Sequence, residues 1–247
     1  MDEKRFSGKV AVVTGGGSGI GEGIARRLQA EGAQVALFDR DSAALDRVSS
    51  ETGALGLNID MSDERAVEAG IEAVVDGFGR LDIAVNSAGV VGMTSTNIVD
   101  YPTEEFQRVL AINLFGSFYL TKYAIPPMLQ QGYGRVLLIA SIAGKEGNPG
   151  MIGYSTSKAG VVGMVKAVGK EYAERGVTVN GLAPAVIRTP MNEKTAPEQL
   201  KYMTERIPMK RLGTVEEAAA LACWIVSEEA AFTTGFVFDL SGGRATY

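Results

Sequence analysis

A tyrosine and a lysine stand four residues apart in the segment 154–158, which reads Tyr-Ser-Thr-Ser-Lys. In a helix this spacing puts Tyr154 and Lys158 on one face, one turn apart. An ammonium close to a phenol favours the phenolate, so Lys158 is expected to lower the pKa of Tyr154 from its usual value of about 10. Such a tyrosine can act as a general acid or base, a role for which the chain has no histidine. Ordinary helical pairs have the same spacing, so the interpretation depends on the other motifs.

A glycine-rich turn follows the first predicted strand. The apolar run 9–13 predicts a buried strand, and Gly15, Gly19 and Gly21 follow it, one residue longer at the start than Gly-x-Gly-x-x-Gly. A helical pattern begins at Ile20. Glycines at these places permit a tight turn and let backbone N–H groups approach a pyrophosphate. The order strand, turn, helix therefore favours a dinucleotide site over a flexible surface turn.

The residue that ends the second predicted strand, 34–38, indicates which dinucleotide is bound. Asp39 can accept hydrogen bonds from ribose hydroxyls and would repel a 2′-phosphate, which favours NAD over NADP. Arg40 follows and could bind that phosphate instead. Ser18 occupies a turn position at which a basic residue would favour NADP. We give the carboxylate of Asp39 more weight than Arg40, so NAD is the predicted cofactor, with NADP as the alternative.

Polar or small residues stand at the ends of three further predicted strands. Asp60 follows the strand 54–59, the segment 86–89 reads Asn-Ser-Ala-Gly, and Ser141 follows the strand 135–140. Open parallel sheets bind ligands at the carboxyl ends of their strands. These residues are therefore expected to border one ligand site.

Asn113 is a polar residue in an apolar part of a long predicted helix. We expect this helix to span about 104–131 and to be interrupted near Pro126 and Pro127. Asparagine is unfavourable inside helices and costly when it is buried without partners. Either a functional role or a core amide with satisfied hydrogen bonds would explain it.

The order of the predicted elements indicates the architecture. Seven short apolar strands alternate with helices, which is typical of an α/β, doubly wound Rossmann domain with a seven-stranded parallel sheet. One such domain is expected to span residues 1–247, with a lid at about 185–210, where prolines are frequent. The predicted strands are 9–13, 34–38, 54–59, 81–85, 135–140, 177–182 and 236–240.

The composition argues against several classes of partner. The 247 residues carry a net charge of −5 without a basic stripe, so nucleic acids and anionic membranes are not expected partners. No apolar run reaches the roughly 18 residues that span a bilayer, and residues 1–5 lack the apolar core of a signal peptide. A cytoplasmic location is therefore expected. The single cysteine, Cys223, is expected to be a buried thiol, and no metal site is predicted.

Taken together, these motifs resemble the short-chain dehydrogenase/reductase family over essentially the whole chain. Each motif is weak alone, but their order and spacing are specific. The matching residues are Thr14-Gly15, Gly19-Ile20-Gly21, Asp60, Asn86-Ser87-Ala88-Gly89, Asn113, Ser141, Tyr154 with Lys158, and Asn180 with Pro184.

The resemblance implies catalytic roles for four residues. Tyr154 would be the general acid/base on the substrate oxygen, and Lys158 would lower its pKa and hold the nicotinamide ribose. Ser141 would donate a hydrogen bond to the same substrate oxygen and stabilise the charge that develops there. Asn113 would position a water that relays protons to Lys158.

The resemblance also implies the cofactor contacts and the assembly. Asp60 would contact the adenine, Asn86 and Gly89 the adenosine ribose side, and Thr189 the carboxamide or a phosphate. Members of the family are usually tetramers, so a homotetramer is expected. The complete set of expected cofactor contacts is Gly15, Ser18, Gly19, Ile20, Gly21, Asp39, Asp60, Met61, Asn86, Ala88, Gly89, Tyr154, Lys158, Pro184, Ile187 and Thr189.

The chain departs from the family pattern at two positions. Ser87 stands where a second asparagine is usual, which is a mild change. Ala185 stands after Pro184 where glycine is usual, so a methyl group is expected close to the substrate. Met151 is another expected substrate contact.

The substrate prediction depends on two segments. Residues 141–149 and 183–187 are similar to the branch of the family that oxidises polyols and 2-keto-3-deoxy sugar acids. We therefore expect NAD-dependent interconversion of a secondary alcohol and a ketone on such a small molecule. The alternatives are a 3-oxoacyl-(acyl-carrier-protein) reductase, which has the same motifs, and a dinucleotide-sensing scaffold without catalysis.

Two cationic residues are expected to border the substrate. Lys145 and Arg188 lie in loops near the predicted pocket, where together they could hold a substrate carboxylate. In the alternative interpretation both are solvated, or they pair with Glu146 and Glu193.

Overall fold

The structure, a computed structural model, describes residues 4–190, 197–245 and 247, apart from the side chains of residues 197 and 199. Its described strands form one parallel sheet in the order β3-β2-β1-β4-β5-β6-β7. The predicted doubly wound α/β fold is therefore confirmed. The strands are β1 Val10–Thr14, β2 Gln34–Asp39, β3 Leu55–Asn58, β4 Ile83–Asn86, β5 Gly134–Ile139, β6 Val177–Pro184 and β7 Val237–Leu240.

Helices connect the strands. Among the described helices, none is long and apolar enough to cross a membrane. The helices are α1 Gly19–Ala30, α2 Ser42–Thr52, α3 Glu64–Phe78, α4 Thr103–Leu110, α5 Gly116–Gln130, α6 Ala143–Glu146, α7 Ile152–Glu171, α8 Pro197–Glu205 and α9 Val215–Ile225.

The sheet separates two apolar layers. Alternate residues of β1 face opposite sides, so Val10 and Val12 pack with α3, α5 and α7, whereas Ala11 and Val13 pack with α1, α2 and α9. Both faces are covered, which explains why the strands read as continuous apolar runs. Cys223 is buried in the second layer, as expected.

The helix α2 was not predicted from the sequence. It buries only Leu45 and Val48, so its apolar stripe is too narrow to give a clear periodic signal. Its start is set instead by Asp41, whose carboxylate accepts a hydrogen bond from the backbone N–H of Ala44 at 3.1 Å.

The predicted interruption of the long helix near its prolines is wrong. Pro126 and Pro127 lie inside α5, where Pro126 is exposed, so water can reach backbone carbonyls that lack an N–H partner. The helical register changes instead at Ala111–Phe115, which has π-helical hydrogen bonding and contains Asn113.

Part of the expected lid lies in the described residues. Helix α8, Pro197–Glu205, falls inside the range 185–210, whereas residues 191–196 lie outside the described residues. The lid therefore stays a prediction.

Thr214 and Glu217 form the capping box that begins α9, with hydrogen bonds of 2.9 and 3.2 Å.

The strand order reverses between β1 and β4. Connections from β1 and from β4 run to opposite sides of the sheet, which opens a crevice at the carboxyl ends of the strands. The glycine turn follows β1 at this crevice, and Ser141 follows β5. The fold thus places the sequence motifs at one edge of the sheet.

Candidate active site

A cavity of about 1300 Å³ occupies this crevice. Of the expected site residues, Gly21, Asn86, Asn113, Lys145 and Arg188 do not line it. The expected residues that do line it are Gly15, Ser18, Gly19, Ile20, Asp39, Asp60, Met61, Ala88, Gly89, Ser141, Met151, Tyr154, Lys158, Pro184, Ala185, Ile187 and Thr189.

The turn between β1 and α1 forms one end of the cavity. Gly15 and Gly19 have φ angles of +64° and +55°, which residues with side chains rarely adopt. A Cβ on Gly15 would lie 2.9 Å from the backbone of Ala88, and a Cβ on Gly21 would overlap the carbonyl oxygen of Gly15. Gly21 thus lets α1 pack against the turn. Exposed backbone at the N-terminus of a twelve-residue helix fits the pyrophosphate of a dinucleotide.

Asp39 lies beside this turn at the end of β2. Its carboxylate accepts hydrogen bonds from the backbone N–H groups of Gly17 at 2.9 Å and Asp41 at 3.0 Å. These bonds hold the carboxylate at the cavity wall, and Arg40 and Ser18 line the cavity nearby. A carboxylate fixed in this position fits the ribose hydroxyls of NAD and would repel the additional phosphate of NADP.

Asp60 and Met61 follow β3 at the same end of the cavity. The Asp60 carboxylate accepts hydrogen bonds from the backbone N–H and the hydroxyl of Ser62, at 2.9 and 2.7 Å. These bonds lower the pKa of Asp60, first through the backbone N–H, and a charged carboxylate is therefore retained. The position suits an adenine contact, which stays a prediction.

Asn86 lies in a buried chain of hydrogen bonds behind the cavity wall. Its Oδ1 accepts from the hydroxyl of Thr14 at 2.6 Å, and its Nδ2 donates to the hydroxyl of Ser117 at 2.6 Å. The same Thr14 hydroxyl accepts from the backbone N–H groups of Ser87 and Ala88 at 3.2 and 3.1 Å. Asn86 therefore holds the turn after β4 in shape, without lining the cavity itself.

Asn113 connects that turn to helix α7. Its side-chain amide exchanges two hydrogen bonds with the backbone of Val90, at 2.8 and 2.9 Å, and donates to the hydroxyl of Ser157 at 3.0 Å. A Cβ on Gly89 would lie 3.2 Å from Oδ1 of Asn113 and 3.6 Å from Nζ of Lys158. The amide is fully satisfied beside Lys158, and the expected water relay stays a prediction.

Ser141, Tyr154 and Lys158 meet at the other end of the cavity. Ser141 is hydrogen-bonded to the phenol of Tyr154, and its Oγ also accepts from the backbone N–H of Ala143 at 3.1 Å. The Nζ of Lys158 donates to the carbonyl of Ile139 at 2.7 Å and lies 5.8 Å from the centroid of the Tyr154 ring. The hydroxyl of Ser141, which follows β5, and the helical pair of Tyr154 and Lys158 are thus brought together.

The expected direction of the Tyr154 pKa shift is wrong for this structure. Burial raises the pKa of Tyr154, and the hydrogen bond from Ser141 opposes that rise only partly. Burial also lowers the pKa of Lys158 to about 8. Burial is the main cause of the raised pKa of Tyr154, whereas the ammonium of Lys158 donates to the Ile139 carbonyl. The phenol is therefore the stable form of Tyr154 near neutral pH.

The expected cationic pair does not border the cavity. Lys145 donates through Nζ to the backbone oxygen of Tyr247, whose hydroxyl donates to the carbonyl of Lys145 at 2.7 Å. Arg188 is exposed and lines a separate pocket of about 410 Å³. Its alternative partner Glu193 lies outside the described residues, and Glu146 pairs with Arg244 at 2.8 Å instead of Lys145. The expectation that Lys145 and Arg188 border the cavity came from their positions in the sequence, and the structure places both elsewhere.

Two arginines that were not predicted line the cavity. Arg206 follows α8, and Arg244 follows β7. Thr94 and Ser95, from the loop after β4, line it as well, and Ser95 has a φ angle of +57°. No local motif marks these residues, because each reaches the cavity only through the tertiary fold.

Comparisons with known proteins agree with this geometry. A family model described as enoyl-(acyl carrier protein) reductase matches residues 15–245. The chain is 46% identical to a 2-dehydro-3-deoxy-L-rhamnonate dehydrogenase (NAD(+)) from Sphingomonas sp., over 98% of each sequence. It is 36% identical to a 3-oxoacyl-(acyl-carrier-protein) reductase FabG from Thermotoga maritima, over 97% of this chain and 98% of the relative.

A solved structure extends the comparison to the fold. NAD+-bound xylitol dehydrogenase superposes with a TM-score of 0.91 and 31% sequence identity, covering 97% of this chain and 100% of that chain. The glycine turn, the strand-end serine and the tyrosine–lysine pair surround one cavity on a fold of this type. The chain belongs to the short-chain dehydrogenase/reductase family.

Proposed function

We propose that this protein is an NAD-dependent dehydrogenase that interconverts a secondary alcohol and a ketone on a 2-keto-3-deoxy sugar acid or a polyol. The observation that carries the proposal is the convergence of Ser141, Tyr154 and Lys158 in a cavity whose other end is the glycine turn with Asp39. A sugar-acid dehydrogenase and a xylitol dehydrogenase are among the similar proteins, and both names include NAD.

The chain supplies binding, orientation and proton transfer. Bound NAD would supply the acceptor for the hydride. Asp39 would bind the adenosine ribose, the turn at Gly15 would bind the pyrophosphate, and Lys158 would hold the nicotinamide ribose. The Tyr154 end of the cavity is then left for the substrate.

The proton moves at the phenolic oxygen of Tyr154. In the oxidation, the phenolate of Tyr154 would accept the proton of the substrate hydroxyl while a hydride leaves the carbon that carries this hydroxyl, for which bound NAD would be the acceptor. Ser141 donates a hydrogen bond to the substrate oxygen and stabilises its developing charge. In the reduction, the phenol returns the proton to the carbonyl oxygen. Lys158 favours the phenolate when its ammonium is protonated.

The second candidate is a 3-oxoacyl-(acyl-carrier-protein) reductase. Relatives with this activity support it at 32–38% identity, and the same four catalytic residues would serve. The net charge of −5 argues against it, because an acidic carrier protein requires a basic docking surface.

An assay with both cofactors separates these candidates. The purified protein is tested with NAD and NADP against 2-keto-3-deoxy sugar acids, xylitol and 3-oxoacyl thioesters. We expect oxidation of a sugar acid or polyol, with a kcat/KM for NAD roughly tenfold or more above that for NADP. Preference for NADPH with a thioester would overturn the proposal and establish the reductase.

Substitution Tyr154→Phe tests the catalytic assignment. The phenyl ring keeps the packing but cannot transfer a proton, so kcat should fall by about 10²- to 10⁴-fold while NAD still binds. Turnover is followed at 340 nm and NAD binding by calorimetry. Full activity in the variant would refute the role of Tyr154. A wild-type protein that binds NAD and oxidises nothing would instead favour the sensing scaffold.

We also propose that the protein is a cytoplasmic homotetramer. Phe115 and Phe118 are 49% and 47% exposed on the side of the molecule where α4 and α5 meet. Phe236, which precedes β7, is 56% exposed at the edge of the sheet. The exposed pair Phe115 and Phe118 and the exposed Phe236 suit two interfaces. The location in the cytoplasm stays a prediction from the sequence.

A further inference from the structure

Within the described part of the chain, four cationic side chains line the cavity: Arg40, Lys158, Arg206 and Arg244. Lys158 belongs to the catalytic group. Arg40 follows Asp39 and therefore lies at the end where the adenosine is expected. Two arginines remain without a role, and the structure holds them very differently.

Arg244 is held in place, whereas Arg206 is not. Arg206 is exposed, and its guanidinium donates to the hydroxyl of Tyr202 at 3.2 Å. The Arg244 side chain is only 9% exposed, and its Nη2 and Nε lie 2.8 and 3.1 Å from one carboxylate oxygen of Glu146. Its Nη2 also donates to Oδ1 of Asn148 at 3.4 Å. Arg244 is therefore a preorganised donor.

The contacts of Arg244 leave one nitrogen of its guanidinium, Nη1, available. Glu146 and Asn148 take Nε and Nη2, and Nη1 makes no hydrogen bond to any residue that the structure describes. Nη1 carries two N–H groups, so it can still donate to an anion in the cavity. Because the side chain is already ordered, binding costs little conformational entropy.

Arg244 lies near the catalytic end of the cavity. Asn148 lines the cavity and donates through its backbone N–H to the hydroxyl of Ser155 at 3.0 Å. Ser155 follows Tyr154 in helix α7. The segment that holds Arg244 is thus tied to the first turn of the catalytic helix.

We propose that Arg244 is a specificity-determining residue that binds the carboxylate of an anionic substrate. The proposal rests on the sugar-acid function above and names the group that selects the acid over a neutral polyol. Glu146 orients the guanidinium, and Arg244 contributes charge-assisted hydrogen bonds to the substrate. The C-terminal segment after β7 is then part of the substrate site, a task that the sequence suggested for Lys145 and Arg188.

The test compares one substrate with and without its charge. Wild type, Arg244→Met and Arg206→Met are assayed with 2-dehydro-3-deoxy-L-rhamnonate and with its methyl ester, at saturating NAD. Arg175→Met is the matched control, because it removes the same charge from an exposed arginine beyond the far end of α7. Thermal unfolding and NAD binding are measured for every variant.

We expect Arg244→Met to lower kcat/KM for the acid by about 10- to 100-fold, mainly through KM, with less than about a threefold change for the ester. Arg175→Met should match wild type on both compounds. Equal losses on acid and ester, or no loss, would overturn the proposal. A selective loss in Arg206→Met alone would assign the carboxylate to that arginine instead.

Failure of the proposed sugar-acid function would give a different result from failure of the role of Arg244. If the wild type oxidises polyols but not the acid, the sugar-acid function fails in the wild type itself, and the role of Arg244 falls with it. Should Arg244→Met not fold, Arg244→Lys keeps a cation beside Glu146 but loses the fork. That variant should lower the ratio of kcat/KM for acid over ester by about 3- to 10-fold, and an unchanged ratio would overturn the proposal.

Discussion

Lys158 is the residue for which we propose both a contact with the cofactor and a part in proton transfer. It is buried, and its Nζ donates to the carbonyl of Ile139 at 2.7 Å. Burial lowers the pKa of Lys158 to about 8, so its ammonium becomes easy to deprotonate in weakly alkaline solution. A tyrosine whose pKa is raised by burial depends on that nearby cation for its phenolate. Proton transfer is therefore expected to be sensitive to pH in this range.

The burial of Lys158 predicts a pH-dependent stability. The pKa is about 8 in the folded protein and 10.5 in the unfolded chain, so the unfolded state binds more protons between these values. The free energy of unfolding therefore rises with pH across that window. Lys158→Met should remove this slope. Its free energy of unfolding should exceed that of the wild type most near pH 7, by up to about 3 kcal/mol.

Urea unfolding of both proteins between about pH 7 and pH 10 measures the slope. A change in stability that is the same at every pH, such as the loss of the hydrogen bond to Ile139, does not change this slope. Parallel curves for wild type and Lys158→Met would contradict the assignment of a lowered pKa to this lysine.

Two connections between elements shape the site. The π-helical segment Ala111–Phe115 lies between α4 and α5, and it turns Asn113 toward the loop after β4 and toward Ser157 of α7. The close packing of α1 against the glycine turn depends on Gly21, because a side chain there would overlap the carbonyl of Gly15. The first connection joins parts of the chain that are distant in sequence, whereas the second is local.

Gly21→Ala should impair dinucleotide binding. The added methyl must displace α1 or the turn, which costs about 1–3 kcal/mol and moves the backbone that faces the pyrophosphate. We expect the dissociation constant for NAD to rise by roughly tenfold or more in calorimetry. Gly77→Ala is the control, because a Cβ at that helical position meets nothing within 4 Å. It should leave NAD binding unchanged, and equal NAD affinity in both variants would contradict the packing role.

The fold brings distant parts of the chain to one cavity. Arg244 follows the last strand, yet it contacts Glu146 of α6 at 2.8 Å, and the backbone of Lys145 accepts a hydrogen bond from Tyr247.

The face formed by Phe115 and Phe118 lies on the surface, where two half-exposed aromatic rings remain in contact with solvent. Burying them against a second copy would remove apolar area from water.

Phe115→Ser with Phe118→Ser tests the proposed assembly. Loss of both rings from an interface should convert the tetramer to smaller species in sedimentation velocity, because aromatic residues dominate interface energetics. Val99→Ser is the control, since Val99 is 86% exposed in the short 3-10 helix Ile98–Asp100 that precedes α4. A wild type that sediments as a monomer, or a double variant that stays tetrameric, would contradict the assignment of this face.

Local motifs were sufficient for much of the molecule. The strand–glycine turn–helix unit and the seven apolar strands are encoded by neighbouring residues, so their spacing alone predicts them. Asp39, Ser141, Tyr154 and Lys158 occupy strand ends or one helix face, and the sheet brings such positions together. The fold class followed from the same order of elements.

Only the tertiary structure decided the features that depend on long-range contacts and on burial. Helix α2 has too narrow an apolar stripe to be recognised, and α5 tolerates its prolines because Pro126 faces solvent. The sign of the Tyr154 pKa shift depends on desolvation, which sequence spacing does not measure. Lys145 and Arg188 have the expected charge, but Lys145 lies in α6 and neither lines the cavity, whereas the packing of the C-terminal segment puts Arg244 there. Charge is a property of the sequence, whereas its place relative to a substrate is a property of the fold.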